Sequence, residues 1–221
     1  VVTHSINGII EGDIISLENI TANFSDKRAG NNKTITVTSN ISGVDASNYQ
    51  LSNTTEYILA NILKKPVTVS ISASDKVYDR LVSASASASM FGVISGDTVL
   101  LNTPSATFSD KDAGNGKTVT MSGISISGAD VANYDLQNFT ATTTANITPK
   151  PITSSYTASN KVYDRSTSAT VSGSLTGVIF GDTVTIAETS SFFSDINVAN
   201  SKTVTVTGIS IGGPGSPNYS L

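Results

Sequence analysis

Acidic residues that recur along the chain are its strongest candidates for chemistry. They form three sets, which are Asp13, Asp97 and Asp182; Asp26, Asp110 and Asp195; and Asp79 and Asp164. A glycosidase would place two such carboxylates across a sugar bond. However, each acid recurs once per repeat, which is typical of turn residues, because an Asp side chain bonds to nearby backbone. We therefore predict no catalytic residue and expect that the protein is not an enzyme.

Two tyrosines stand directly before an acid and are candidates for ligand binding. Tyr78 precedes Asp79, and Tyr163 precedes Asp164 at the equivalent place. A tyrosine ring beside a carboxylate could hold a sugar. The alternative is a partly buried ring whose hydroxyl is hydrogen-bonded, which is the usual state of buried tyrosine. The chain has no Trp and only 6% aromatic residues, which favours this alternative.

One loop carries oxygen ligands at spacing somewhat like that of a calcium loop. Its candidate ligands are Asp110, Asp112 and Asn115. The first copy has Arg28 where Asp112 stands, and no Glu follows at the distance that an EF-hand requires. We expect no cofactor, with a weak calcium site in the middle copy as the one alternative.

These residues are positioned by an internal repeat. The sequence from Lys76 to Arg80, Lys-Val-Tyr-Asp-Arg, returns 85 positions later from Lys161 to Arg165. A fixed period of this kind indicates tandem structural units. The predicted units are residues 1–64, a first copy that lacks its initial strands; 65–149, a complete middle copy; and 150–221, a third copy that lacks its last strand. The sequence is expected to be a fragment of a longer array.

A complete copy reads as about seven short strands with turn signals every ten or so residues and no helical period, which predicts an all-β immunoglobulin-like sandwich. A small open barrel or a β-grasp-like sheet is the alternative. Tyr49, Tyr134 and Tyr219 each follow an Asn and resemble a tyrosine corner, in which the hydroxyl bonds back to backbone. They, Asp97 and Asp182 are predicted to be structural.

One strand of the middle copy has a break in its alternation. Val119 and Met121 share one face, whereas Ile124 and Ile126 have the opposite parity, and Gly123 stands between the pairs. An extra residue at a β-bulge would return both pairs to the core face. The sequence therefore predicts a bulged, continuous strand at this point.

Composition excludes several function classes. A net charge of −4 argues against a nucleic-acid footprint, which needs clustered Lys and Arg. No apolar run reaches the length of a membrane span, so direct membrane insertion is not expected. Cysteine is absent, which excludes disulfides and thiolate metal sites. Short proline-containing junctions near residues 62–68 and 147–153 predict a rod with restricted bending.

The motifs in this order resemble the YDG/MBG-type repeats of large bacterial surface proteins, which include filamentous-haemagglutinin-like adhesins exported by two-partner secretion. Arg80 and Arg165 stand where that family has the glycine of Tyr-Asp-Gly, so a positive φ is not expected there. The resemblance implies a secreted, extracellular protein of the bacterial cell surface, in adhesion or biofilm formation.

Two functions remain open. The first is a structural stalk, in which repeats of one chain stack on their neighbours and project a binding region. The second is a carbohydrate- or matrix-binding module with one weak site per repeat near the Tyr-Asp motif, for which a glycan or a host or bacterial surface would be the partner. Weak sites repeated along a rod would gain from avidity.

Overall fold

The part of the chain that the structure describes is built from short β-strands and three single-turn 3₁₀ helices. A computed structural model describes residues 4–221, about half of the chain lies in strands, and the described residues contain no α-helix. The all-β prediction is confirmed. The structure contains a nearly closed, barrel-like sheet and does not confirm immunoglobulin-like sandwiches, which remain a prediction. Within residues 4–221 no helix has the length and apolar character needed to cross a membrane.

The secondary-structure elements follow one another closely along the chain. The first strands are β1 (Ser16–Phe24), β2 (Gly30–Ser42) and β3 (Thr55–Ile62). The next are β4 (Lys65–Ala73), β5 (Lys76–Val77), β6 (Ser83–Ala84), β7 (Ala86–Phe91), β8 (Leu100–Asn102), β9 (Ala106–Phe108), β10 (Gly114–Ser122), β11 (Ser125–Ser127), β12 (Tyr134–Leu136) and β13 (Thr140–Thr148). The last are β14 (Lys150–Pro151), β15 (Thr153–Ala158), β16 (Val171–Thr176), β17 (Thr185–Ala187), β18 (Ser190–Phe193), β19 (Val204–Thr207), β20 (Ser210–Gly212) and β21 (Tyr219–Ser220). The 3₁₀ helices are Ala46–Asn48, Val131–Asn133 and Ser216–Asn218.

The described residues group into two compact units. Unit one comprises residues 4–68, 90–102 and 125–137, and unit two comprises residues 69–89, 103–124 and 138–221. Strands β4 and β7 contribute residues to both. This grouping does not test the three predicted copies, whose boundaries remain a prediction.

Unit one contains an antiparallel sheet in the order β1-β2-β3, so β3 is an edge strand. The short strands β8 and β11 pair with each other, and β12 runs parallel to the start of β4, with Tyr134 opposite Lys65. Val67 and Tyr134 are only 1% and 3% exposed. Leu136, which pairs with Val67 across the two strands, is also buried. These residues alternate with exposed ones, as half-buried strands require.

Unit two is organised around a five-stranded sheet in the order β5-β13-β10-β9-β6. Strands β9 and β10 form the predicted hairpin, in which Phe108 lies opposite Val119. The core residues Val119 and Ile147 are fully buried, and Met121 and Ile124 are nearly so. Strand β5 pairs in parallel with the end of β13, with Lys76 opposite Ile147.

The predicted bulge at Gly123 is wrong in mechanism, and the expected burial holds for three of the four apolar residues, because Ile126 is only half-buried. Strand β10 ends at Ser122, Gly123 adopts a φ of 83°, and β11 begins at Ser125 in a different sheet. Val119, Met121 and Ile124 are all buried. The shift in the apolar alternation therefore marks a change from one sheet to another, and not an extra residue in one strand. The change occurs at a glycine, which tolerates positive φ.

Candidate functional site

The Tyr-Asp motif of the middle copy lies at the end of strand β5 in unit two. The Tyr78 N–H donates to the Thr148 carbonyl at 2.9 Å, which continues the pairing of β5 with β13. The Asp79 carboxylate accepts the Leu81 N–H at 2.9 Å and the Lys76 ammonium at 2.7 Å. Asp79 therefore stabilises a turn by bonding to groups two and three residues away in the chain, as Asp commonly does.

The turn places Arg80 in the left-handed region, contrary to the expectation from sequence. Its φ is 66°, and the φ of the equivalent Arg165 is 63°. An arginine pays a steric cost there that glycine would not. The conformation of the turn is thus the one that glycine would favour, while the arginine side chain remains free to make contacts.

Those contacts converge on Asp182, which belongs to the third copy and lies in the same unit. The carboxylate oxygen Oδ2 accepts the Tyr219 hydroxyl at 2.6 Å and the Tyr78 hydroxyl at 3.0 Å. The other oxygen, Oδ1, lies 3.1 Å from Arg80 Nε. The Asp182 side chain is only 7% exposed, and Arg80 also donates to the Phe180 carbonyl. Three donors therefore meet on one buried carboxylate, and two of them, Tyr78 and Arg80, join the middle copy to the third.

Burial and charge set the protonation of this cluster. Burial would raise the pKa of Asp182, but hydrogen bonds from Tyr219 and Tyr78, with the nearby charges of Arg80 and Lys111, hold that pKa below its usual value. Burial, and then the hydrogen bond to Asp182, raises the pKa of Tyr78 to about 12 and likewise that of Tyr219 to about 12. At neutral pH the carboxylate is charged and both phenols are neutral donors.

Two further contacts support the cluster. The rings of Tyr78 and Tyr219 meet edge to face, with centroids 5.5 Å apart and an interplanar angle of 77°. Such a pair adds about 0.5–1.5 kcal/mol beyond the area that it buries. Beside it, the Ala113 N–H donates to Asn218 Oδ1 at 2.7 Å, and Asn218 Nδ2 donates to Asp112 at 3.2 Å. Asn218 is the buried polar residue that links the hairpin loop of the middle copy to the third copy.

The pairing of the recurrent Asp with the recurrent Tyr is present in all three copies. Tyr134 donates to Asp97, and Tyr49 donates to Asp13, each at 2.6 Å. The same hydroxyls accept backbone N–H groups about 40 positions upstream, from Ile94 to Tyr134 and from Ile10 to Tyr49, at 3.0 Å. The hydroxyl thus bonds to backbone, as in a tyrosine corner, but that backbone belongs to the Gly-Asp loop about 40 positions upstream, whose Asp side chain is its second partner.

The second Tyr-Asp motif has a different environment. Tyr163 is 53% exposed, whereas Tyr78 is only 2% exposed. Asp164 accepts the Ser166 N–H and the Lys161 ammonium, each at 2.9 Å, so its turn matches that of Asp79. The predicted ligand-binding residues thus differ at the tyrosine, which is buried at Tyr78 and half-exposed at Tyr163, whereas Asp79 and Asp164 are both exposed.

The candidate calcium ligands are engaged by protein groups. Asp110 pairs with Lys117 and accepts the Asp112 N–H at 2.9 Å. Asp112 lies 3.3 Å from the Lys111 ammonium, and Asn115 is exposed at the start of strand β10. Across residues 4–221 no three His, Cys, Asp or Glu side chains cluster as a metal site. The weak calcium site remains a prediction, and its loop is held by an internal ion pair.

The cluster around Asp182 is suited to holding two repeats together. Its carboxylate accepts bonds from two hydroxyls and pairs with a guanidinium, so it neutralises charge and fixes orientation. Arg80 and Asn218 are the contributors that the sequence prediction omitted. The recurrence of Arg80 as Arg165, and of an Asn before each core tyrosine, was the signal that could have identified them.

Tandem copies joined through side chains of a repeated motif define a repeat protein. The YDG domain family matches the chain over residues 1–56, 63–145 and 148–221. The chain belongs to the YDG domain family. No curated protein and no solved structure is significantly similar to it.

Proposed function

We propose that the chain forms structural stalk repeats of a secreted bacterial cell-surface adhesin. In this role immunoglobulin-like or barrel-like units stack in tandem and project a binding region outward, in adhesion or biofilm formation. The single observation that carries the proposal is the junction at Asp182. A repeat that donates a tyrosine and an arginine to the carboxylate of its neighbour has a fixed contact, which is what an extended array needs.

The chemistry of the junction favours a mechanical role over a binding role. Tyr78 has its hydroxyl on Asp182 and its ring on Tyr219, so no face of it is free for a ligand. Strand β3 ends at Ile62 and β4 begins at Lys65, so one repeat follows the other with almost no linker. Short linkers of this kind restrict bending.

Small-angle scattering tests the extended shape. A compact globule of 221 residues would have a radius of gyration of about 17 Å by the size scaling of domains. We expect a clearly larger value after extrapolation to infinite dilution. A value near that of the globule would contradict the stalk. Antibodies against the chain should also label intact, unpermeabilised cells that produce the parent protein, and labelling only after lysis would contradict surface exposure.

The second candidate function, a carbohydrate- or matrix-binding module, is favoured by one observation. Tyr163 presents a half-exposed ring beside Asp164, in an arrangement that could stack on a sugar. Saturable binding to a glycan array or to whole cells, with calcium and with chelator, would support it if Tyr163→Ala abolished binding and Tyr57→Ala, at another exposed tyrosine, did not. Absence of binding by the folded chain in both buffers would leave the stalk.

A further inference from the structure

Asn115 and Gly116 form an asparagine–glycine pair in a β-bulge of the middle copy. Strands β10 and β13 pair on both sides of it, but Asn115 and Gly116 together face the single residue Asn146. Both residues of the pair are exposed, and Gly116 has a φ of 61°. Two residues opposite one define a bulge, and glycine adopts the left-handed conformation at no steric cost.

An asparagine followed by glycine can react with its own backbone. The Gly116 nitrogen attacks the Asn115 side-chain carbon Cγ and a C–N bond forms. The Asn115 amide nitrogen then leaves as ammonia, carrying the proton that the Gly116 nitrogen gives up. Water opens the resulting cyclic imide at either of its two carbonyls, which produces aspartate or isoaspartate. Glycine favours the attack because it has no Cβ to crowd the approach.

The nitrogen that would attack is held by Asn146 in the folded repeat. The Gly116 N–H donates to Asn146 Oδ1 at 2.8 Å. Asn146 is itself fixed by Asp75, which accepts its backbone N–H at 2.7 Å and its side-chain Nδ2 at 2.9 Å. These hydrogen bonds lower the pKa of Asp75, so it is a charged acceptor at neutral pH. Asp75, Asn146 and Gly116 thus form a clasp beside the Asn115 side chain.

The first copy has the same hydrogen bond on a different pair of residues. The Asn32 N–H donates to Asn61 Oδ1 at 2.9 Å, and Asn32 has a φ of 51°. Asn61 matches Asn146, 85 positions later in the sequence. The pair in the first copy is Asn31 followed by Asn32, whose side chain crowds the backbone nitrogen. The hydrogen bond therefore belongs to the bulge in both copies, and the glycine makes the middle copy the reactive one.

The paired strand keeps the two reacting atoms apart. Attack requires the Asn115 side chain and the Gly116 nitrogen to rotate toward each other, and pairing at Gly114 and Lys117 fixes the backbone on both sides. Lys117 is also ion-paired with Asp110 in the same hairpin. The reaction must therefore await a local opening of the hairpin, which requires less free energy than unfolding of the whole unit.

We propose that Asn115 is a deamidation site, and that the clasp keeps it unreacted until β10 and β13 separate at the bulge. The proposal rests on three observations, which are the asparagine–glycine sequence, the exposure of both residues, and the hydrogen bond that engages the attacking nitrogen. It does not depend on the stalk function.

Deamidation would weaken the contact between the middle and third copies. Isoaspartate adds one carbon to the backbone within the bulge, so the Gly116 N–H no longer lines up with Asn146. The same hairpin carries Ala113 and Asp112, which bond to Asn218 at 2.7 Å and 3.2 Å. Each opening that leads to reaction is thus recorded irreversibly beside the junction.

Incubation of the whole chain at mildly alkaline pH, followed by peptide mapping with mass spectrometry, measures the reaction. Water enriched in heavy oxygen labels the new acid and distinguishes it from earlier deamidation. A synthetic peptide of residues 111–118 in the same buffer gives the rate without the clasp. We expect Asn115 to react about tenfold or more slowly in the folded chain than in the peptide, because only the open state reacts. Equal rates, or an unreactive peptide, would overturn the proposal.

A matched pair of variants separates the clasp from general stability. Asn146→Ala removes the acceptor of the Gly116 N–H, and we expect the Asn115 rate in the folded chain to rise about five- to tenfold. Asn138→Ala is the control, because its side chain bonds to the Val69 N–H and carbonyl at 2.9 Å and 2.8 Å, at the opposite end of β13. It destabilises the same unit and should leave the rate unchanged. Equal acceleration by both variants would overturn the role of the clasp.

Asp75→Asn provides a second test that leaves the Asn146 side chain in place. It weakens the bonds that orient Asn146, so we expect a smaller increase in the Asn115 rate. Asn7 and Gly8, the other asparagine–glycine pair of the sequence, are followed in the same peptide map, and neither clasp variant should change their rate. Circular dichroism verifies the fold of each variant. An Asn115 rate that neither clasp variant raises would overturn the proposal.

Discussion

The Tyr78 hydroxyl donates to Asp182 Oδ2 at 3.0 Å, across 104 positions of sequence. The two residues belong to different copies of the repeat, and both side chains are largely buried. An acid that looks like one more turn residue in the sequence is therefore the acceptor on which two copies meet.

Removing one hydroxyl from the junction should lower stability. We expect Tyr78→Phe to decrease the free energy of unfolding by about 1–1.5 kcal/mol, because Asp182 stays buried with one donor fewer. Urea unfolding measures the change. Tyr163→Phe is the matched control, since its hydroxyl is on a half-exposed ring, and it should change stability by less than about 0.5 kcal/mol. Equal effects of the two variants would contradict a special role for the junction.

The carboxylate itself should matter more at Asp182 than at Asp97. Asp182→Asn leaves Arg80 without its ion-pair partner and weakens the bonds from both tyrosines, so we expect a loss of about 2 kcal/mol or more. Asp97→Asn affects Tyr134 alone and should cost about 1 kcal/mol. Thermal unfolding of the two variants under identical buffer compares them. A larger loss at Asp97 would contradict the assignment of donors.

Alkaline titration should separate the junction tyrosines from the others. Two of the seven tyrosines, Tyr78 and Tyr219, should ionise near pH 12. Because their pKa is raised in the folded state, their contribution to stability is complete below about pH 10 and is lost as the pH rises toward 12. The ultraviolet absorbance of tyrosinate follows the titration, and Tyr78→Phe should remove one late group. Seven groups that titrate together in the folded protein would contradict the burial of this pair.

The sequence was informative about local structure and the period, and less so about contacts between copies. The alternation around Val67 and the turn formers between Phe108 and Val119 are local signals, and both produced the predicted strand and hairpin. The partner of Tyr134 could not be read in the same way. Its hydroxyl bonds to Asp97, which is 37 positions away in the sequence. Tertiary packing brings the two together, and local residue spacing does not predict such a contact.

The sheet change at Gly123 shows why parity alone was insufficient. A bulge and a change of sheet both return the side chains of Val119 and Ile124 to a core, so the pattern of apolar residues is the same for either. Only the pairing partners distinguish them, and β11 pairs with β8. Arg80 is a related case. The backbone preference of a non-glycine residue argues against a positive φ, but Arg80 has one in this turn.

The final prediction uses two arginines with the same backbone and different surroundings. Arg165 and Arg80 both have positive φ, but the structure gives only Arg80 a bond to Asp182. Arg165→Gly removes steric strain and should raise stability by about 0.5–1 kcal/mol, after the entropy of the glycine in the unfolded chain is deducted. Arg80→Gly relieves the same strain but loses the contacts to Asp182 and to the Phe180 carbonyl, so it should be less stable than Arg165→Gly by roughly 1–2 kcal/mol. Urea unfolding of the two variants side by side cancels the backbone effect. The difference that remains measures what the arginine contributes to the junction, and equal stabilities would show that the turn at Tyr78 is held by its backbone and tyrosine alone.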